Sequence, residues 1–194
     1  MQIMLQVDPT ILIKRQVFDN FLPQDTFELI ARIAMTPNDD RQVLYQLQST
    51  VAEIDDIEEG MPHWNWMGIS MIYSEDCVTH PFFTEMRELV LPVIKQKVYD
   101  YRSLVRIKAN FYPWTHELKH HRWHTDLNFG NVAAVLSLNT CDGYTEFEYD
   151  TPYLKQRRIQ SVANRLVVFD GQNSHRSSTT TTNYGRYNIN FNFL

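Results

Sequence analysis

The sequence predicts a mainly β protein, a β-sandwich or jelly-roll barrel with helices packed on one side. Three observations predict it. Before residue 100 the apolar residues recur at helical spacing. After it, short apolar or alternating runs follow one another between turn signals. The last run has one aromatic face and one polar face, which suits a sheet covered by helices outside and a polar ligand inside.

The helical part comes first. Pro23-Gln24-Asp25 precedes Phe27, Ile30, Ala31 and Ala34, an apolar stripe with a start signal. Pro37 to Asp40 should stop that helix. Ile54 to Gly60 is acidic, and Gly60-Met61-Pro62 reads as a turn. A second helix should begin near Phe82, with Met86, Leu89, Val90, Val93 and Ile94 on one side. Pro92 lies inside it and predicts a kink or a break.

The strands follow. Val105, Ile107, Ala109 and Phe111 alternate with Arg106, Lys108, Asn110 and Tyr112, a period of two. Asn131 to Leu138 and Asn164 to Phe169 are mostly apolar runs of buried-strand length. Cys141-Asp142-Gly143 is a turn signal, and Tyr144 to Tyr149 alternates again. Gly185 opens the last strand. Tyr187, Ile189, Phe191 and Phe193 fall on one face; Arg186, Asn188, Asn190 and Asn192 fall on the other. If the helices cover the aromatic face, the polar face points into the barrel. Buried polar groups need partners, so a polar interior calls for a bound polar ligand.

Composition bounds the function. The chain has 194 residues, 43% hydrophobic and 21% charged, which suits one ordinary globular domain over 1–194. Residues 1–100 supply mixed strands and supporting helices, and 101–194 the core strands. Lys+Arg 18 against Asp+Glu 23 leaves a net charge of -5, so nucleic acid is not expected as a partner. Cys77 and Cys141 are too few for a disulfide framework or a cysteine zinc site. The N-terminus lacks a basic signal region. The longest apolar patch, Leu89 to Ile94, is far short of the ~20 residues of a membrane helix. A cytoplasmic protein without a membrane partner is expected.

One constellation carries chemistry. His124 and Asp126 flank a single residue, so on an extended segment both project to one face, roughly 7 Å apart along the backbone. His175 is available downstream as a third ligand. Two histidines and one carboxylate on one side of a metal leave the opposite positions open. That is the facial triad suited to non-haem Fe(II) and O2. Arg186 follows in the last strand, inward by parity. A buried guanidinium needs an anion, and a dicarboxylic acid that chelates the metal would meet Arg186 at its other end.

His124-x-Asp126, His175 and Arg186, in this order, resemble the Fe(II)- and 2-oxoglutarate-dependent dioxygenases, and most of all their prolyl 4-hydroxylase-like branch. Gln16 to Ala34 resembles that branch's opening strand and helix. Arg106 to Tyr112 resembles its strand before the iron motif, and Asp142 to Phe147 its G-x-T-x-F turn and strand. The resemblance implies a double-stranded β-helix, a cupin-like jelly roll. It implies a hydroxylase that couples decarboxylation of 2-oxoglutarate to succinate with oxidation of a C–H bond in a peptide or small molecule. Its cofactors are Fe(II), 2-oxoglutarate and O2, with ascorbate as reductant. It makes His124, Asp126 and His175 iron ligands and Arg186 the partner of the distal carboxylate, with Tyr112 and Asn190 assisting. Leu136-Ser137-Leu138 stands where many relatives place a co-substrate tyrosine; either that contact is missing or another residue such as Asn188 substitutes. Asp126 favours hydroxylation over halogenation, and Asn192 stands where related nucleic-acid demethylases carry a second arginine.

Other readings stay open. The chain could be a non-catalytic jelly roll that binds or builds, or a cupin-like metalloenzyme without 2-oxoglutarate. His116, His120 and His121 read as loop or site-rim residues rather than a zinc cluster. Trp114 and Trp123 could stack on a substrate or pack in the core. Trp64, Trp66 and the loop from Thr115 to Arg122 are expected near the opening of the iron site.

Overall fold

The computed structural model describes residues 15–36, 41–51, 64–98, 100–148 and 157–194. The N-terminal segment, the stop at Pro37 to Asp40, the acidic stretch with its following turn, and Tyr149 lie outside them.

Strand β1 (Gln16–Phe18) leads into helix α1 (Gln24–Met35). The stripe read from the sequence is buried there, Phe27, Ile30, Ala31 and Ala34 with Ile33 added. Asp25 in the first turn and Arg32 in the last complement the helix dipole. Strands β2 (Gln46–Gln48), β3 (Met67–Ser74) and β4 (Cys77–Val78) follow. The second helical region is continuous: α2 (Phe83–Glu85), a π-helical turn over Met86–Val90, and α3 (Leu91–Lys97). The expected kink takes the form of that wider turn. Leu91 donates its N–H to the Met86 carbonyl, and Pro92, with no N–H to give, falls at the start of α3, where none is needed.

The remaining strands are β5 (Leu104–Pro113), β6 (Val132–Ser137), β7 (Tyr144–Phe147), β8 (Arg158–Gln160), β9 (Arg165–Asp170), β10 (His175–Ser177) and β11 (Gly185–Phe193). They form two antiparallel sheets. The large one runs β1-β9-β6-β11-β5-β3-β2, with β4 beside β3; the small one runs β10-β7-β8. Strand β3 alternates Met67, Ile69, Met71 and Tyr73 with a buried face of Gly68, Ser70 and Ile72, in which Gly68 and Ser70 are small where a large apolar set would be expected.

The two faces of β11 settle the layering. Ile189, Phe191 and Phe193 are fully buried in one cluster with Phe27 and Ile30 of α1 and Met86, Val90 and Ile94 of the second helical region. Truncating such a phenylalanine to alanine costs roughly 3–5 kcal/mol. Arg186, Asn188, Asn190 and Asn192 are also buried, on the other face. A smaller apolar cluster including Val135, Phe147, Ile159 and Phe169 joins the small sheet to the large one. Among the described residues no helix is long and apolar enough to cross a membrane.

The low-complexity run Ser177 to Thr182 is a tie between loops. Asp142 accepts hydrogen bonds from the hydroxyls of Thr180 at 2.6 Å, Thr181 at 2.5 Å and Thr182 at 3.1 Å, and from the Thr181 N–H at 2.9 Å. Burial works against this carboxylate, yet the threonine donors hold it well below the usual range. Its contribution to stability is full above its unfolded value of 3.8 and is lost as pH falls further. We predict that Asp142→Asn lowers unfolding stability near neutral pH by roughly 2 kcal/mol. The gap to the wild type should narrow in denaturant melts below about pH 4. A gap unchanged by acid would contradict this.

Candidate metal centre

His124 and His175 come from different sheets' surroundings and meet as a two-residue bridge. His124 N–H donates to the His175 carbonyl and His175 N–H to the His124 carbonyl, both at 2.9 Å. The ring centroids are 4.7 Å apart. His124 Nδ1 lies 3.2 Å from the Arg122 carbonyl, and His175 Nδ1 lies 2.9 Å from the Asn173 carbonyl. A carbonyl can only accept, so Nδ1 carries the proton in both rings. In the neutral form of either ring Nε2 then keeps its lone pair, the state a metal requires. Burial and the neighbouring His175 hold His124 down to about 4, so it is neutral near pH 7.

Asp126 completes the set. One ligand atom from each of His124, Asp126 and His175 lies within 4.8 Å of the others. Bonds of about 2.0–2.2 Å to a common ion set neighbouring ligands roughly 3 Å apart, so the side chains would close in around it. Asp126 is held from the large sheet: Asn190 Nδ2 donates at 3.0 Å, Asn192 Nδ2 at 3.1 Å and Arg106 Nη2 at 3.2 Å. Burial opposes its charge, but His175, Arg106, Lys108 and Asn192 keep it ionised. Two neutral imidazoles and one carboxylate are the donor set of a facial triad.

Farther along β11, Arg186 is 1% exposed. Its Nη2 donates to Thr145 Oγ1 at 2.9 Å and its Nη1 to the Ser178 carbonyl at 3.5 Å, while Nε has no partner. Among the described residues no carboxylate meets it. Gly143 makes room, since a Cβ there would lie 2.8 Å from Arg186 Cδ. The G-x-T-x-F run thus has a use at each marked position: Gly143 admits Arg186, Thr145 accepts from it, and the Phe147 ring lies 6.1 Å from that of His175.

Tyr112 pairs in register with Arg186, and the guanidinium lies 5.3 Å from its ring centroid. Its hydroxyl bonds to Ser177 and Asn188. Asn188 therefore stands beside Tyr112, opposite Ser137 of β6. Asn190 turns its amide nitrogen to Asp126, at the metal end rather than at Arg186.

Two sequence expectations need correction. His121 is not a rim residue. It is 2% exposed, its ring lies 5.4 Å from that of Tyr112 and 5.9 Å from that of Trp64, and Nδ1 bonds to Ser177 Oγ at 2.8 Å. Burial and the Arg186 charge push it down to about 3, and its Nε2 has no partner. Its place in a loop between histidines hid this. Secondly, Trp64, Trp66 and Thr115 do not frame the triad. With Trp114 and Glu117 they line a separate cavity of about 550 Å³. The cleft that opens on His124 and Asp126 holds about 390 Å³ and is walled by β2, β3, β5 and residues 124–128. Trp123 packs under Arg176, 4.3 Å from its guanidinium carbon. His120 lies against the Tyr144 hydroxyl.

No family sequence model and no curated protein sequence matches the chain. Solved structures do. A prolyl-4-hydroxylase from Pseudomonas putida is 17% identical with a TM-score of 0.56, covering 92% of this chain and 91% of that one. The chain has the fold of the 2-oxoglutarate–Fe(II) oxygenases. A prolyl hydroxylase from Trichoplax adhaerens, in complex with a hypoxia inducible factor peptide fragment, is 15% identical with a TM-score of 0.58 over 93% of this chain and 84% of that one. A 2OG-Fe(II) oxygenase family protein from Burkholderia pseudomallei is 9% identical with a TM-score of 0.60 over 92% and 84%. The oxygenase fold brings with it the jelly-roll core described above.

The donors around Asp126 predict a graded metal response. Asp126→Ala should abolish Mn(II) binding in calorimetric titrations. Asn192→Ala, which removes one orienting bond, should weaken it roughly tenfold. Wild-type affinity in both variants would show that the ion binds elsewhere.

Proposed function

We propose that the protein is an Fe(II)- and 2-oxoglutarate-dependent dioxygenase that hydroxylates a C–H bond of an amino acid, peptidyl or free. The observation that carries this reading is a pair of complementary needs in one barrel. A three-donor metal face lies at one end of β11, and the buried Arg186, without a carboxylate, lies at the other. The prolyl hydroxylases among the structures of this fold favour an amino-acid substrate.

Fe(II) would be held by His124 Nε2, His175 Nε2 and an Asp126 oxygen. With 2-oxoglutarate, iron supplies the activation of O2: the keto acid loses CO2 and becomes succinate with one oxygen atom, and the other ends in the substrate hydroxyl. The chain's own part is positioning. Asn190, Asn192 and Arg106 fix the Asp126 carboxylate and keep it unprotonated. The Arg122 and Asn173 carbonyls fix the two histidine tautomers. Arg186 and Tyr112 would receive the distal carboxylate, a charge-assisted pair in a site closed to water. The inner cavity holds about 30 Å³, so entry of the diacid requires its polar walls to draw back. Thr145 then yields its place on Arg186 to the carboxylate. Ascorbate would serve to keep the iron ferrous.

Turnover of 2-oxoglutarate with Fe(II), O2 and ascorbate tests the reading. The wild type should release succinate even without added substrate, His124→Ala and Asp126→Ala should not, and Arg186→Ala should raise the half-saturating 2-oxoglutarate concentration at least about tenfold. Equal succinate release from all four proteins would end it.

A further inference from the structure

Beyond its long-range effect on the Asp126 charge, Lys108 has no role in the site described so far. It sits on β5 with its side chain on the inward face, paired in register with Asn190 of β11 and Met71 of β3. It lines both the inner cavity, with His124, Asp126 and His175, and the outer cleft of about 390 Å³. Its ammonium therefore stands at the junction between the metal face and the way in. Among the described residues no hydrogen bond or ion pair engages that ammonium; Asp126 acts on it only at longer range.

The neighbours explain why Lys108 is not a structural prop for Asp126. That carboxylate already accepts from Asn190, Asn192 and Arg106. Arg106 is committed as well, with Nε on Asn192 at 3.0 Å and Nη2 on Asp126. Lys108 is the cation left over. It lies beside Arg106 on the same face of β5 and would also face a divalent ion, and both repel it. A cation kept in such a place is favourable only with an anion beside it.

The co-substrate's distal carboxylate does not serve. Its proposed partner Arg186 pairs with Tyr112, four residues along β5, roughly 13 Å from Lys108. The near carboxylate belongs to the metal. The remaining anion must come through the outer cleft. The rest of that cleft supplies an apolar wall, Val51, Ile69, Met71 and Leu127, beside polar Gln48 and Thr125. An aliphatic body ending in a carboxylate fits this lining, and a single ammonium matches one carboxylate.

Resting on the dioxygenase reading, we propose that the prime substrate is a small aliphatic carboxylic acid, a free amino acid in the simplest case, whose carboxylate binds the Lys108 ammonium. A residue inside a peptide chain offers no such charge.

The test uses full-length protein loaded anaerobically with Fe(II) and 2-oxoglutarate. The charge-transfer absorption of the chelated keto acid reports that the centre has assembled. Four pools are then titrated calorimetrically: L-valine, L-leucine, L-isoleucine and L-proline; their amides; short aliphatic monocarboxylates; and the monocarboxylates' amides. An acid pool should bind and perturb the absorption at least about tenfold more tightly than the matching amides. Lys108→Met should remove that preference, and Lys108→Arg should restore most of it. In steady-state assays the loss should fall on the half-saturating acid concentration, not on that of 2-oxoglutarate. An assembled centre that binds acids and amides alike, or neither, overturns the substrate class. So does a Lys108→Met defect confined to 2-oxoglutarate. Absence of the absorption band in the wild type would overturn the dioxygenase reading itself, and the two failures are told apart by that band.

Discussion

The backbone pair between His124 and His175 is the contact on which the candidate site depends. Two hydrogen bonds join a loop that leaves β5 to the first residue of β10. They place two imidazoles side by side without asking either side chain to search for the other. Asp126 reaches the same point from the opposite direction, held by donors on β5 and β11 of the large sheet. The metal face is thus a seam between the two sheets, and its geometry is preorganised by backbone and amide groups rather than by an ion.

The second constraint is the burial of polar side chains along β11. A strand with phenylalanine on one face and asparagine and arginine on the other can sit between layers only if both faces are satisfied. The apolar face meets α1 and the second helical region. The polar face finds most of its partners inside the barrel, but not all: Arg186 Nε, Asn190 Oδ1 and His121 Nε2 remain without one. Unsatisfied buried polar atoms are costly in a finished core. Of these, the Arg186 guanidinium is the cation, and a buried cation without a carboxylate asks for an anion.

Much of this was legible in the residues. Strands β5, β6, β9 and β11 each bury a face, and burial imposes the period that a sequence displays. The inward direction of the β11 polar face followed from the helices' need for an apolar surface. The pairing of His124, Asp126 and His175 in space was anticipated from spacing and from family likeness. What stayed hidden depends on what lies opposite. Lys108 and Arg106 are alternate members of one strand face, yet only the fold reveals that Arg106 is engaged and Lys108 is not. His121 looked like one of several loop histidines, because burial by Trp64 and Tyr112 comes from distant segments. The work of Asn190 and Asn192 on Asp126 had no local signal. Strand β3 was not read from the sequence because its buried face carries Gly68 and Ser70 instead of large apolar residues: a Cβ at Gly68 would come within 3.1 Å of Tyr45.

The most direct measurement is a crystal structure grown anaerobically with Fe(II) and 2-oxoglutarate, with diffraction recorded on both sides of the iron absorption edge. The account predicts one anomalous peak bonded to His124, Asp126 and His175, with the diacid running from it to Arg186. A peak at any other residues, or a diacid that leaves Arg186 without a carboxylate, would contradict it.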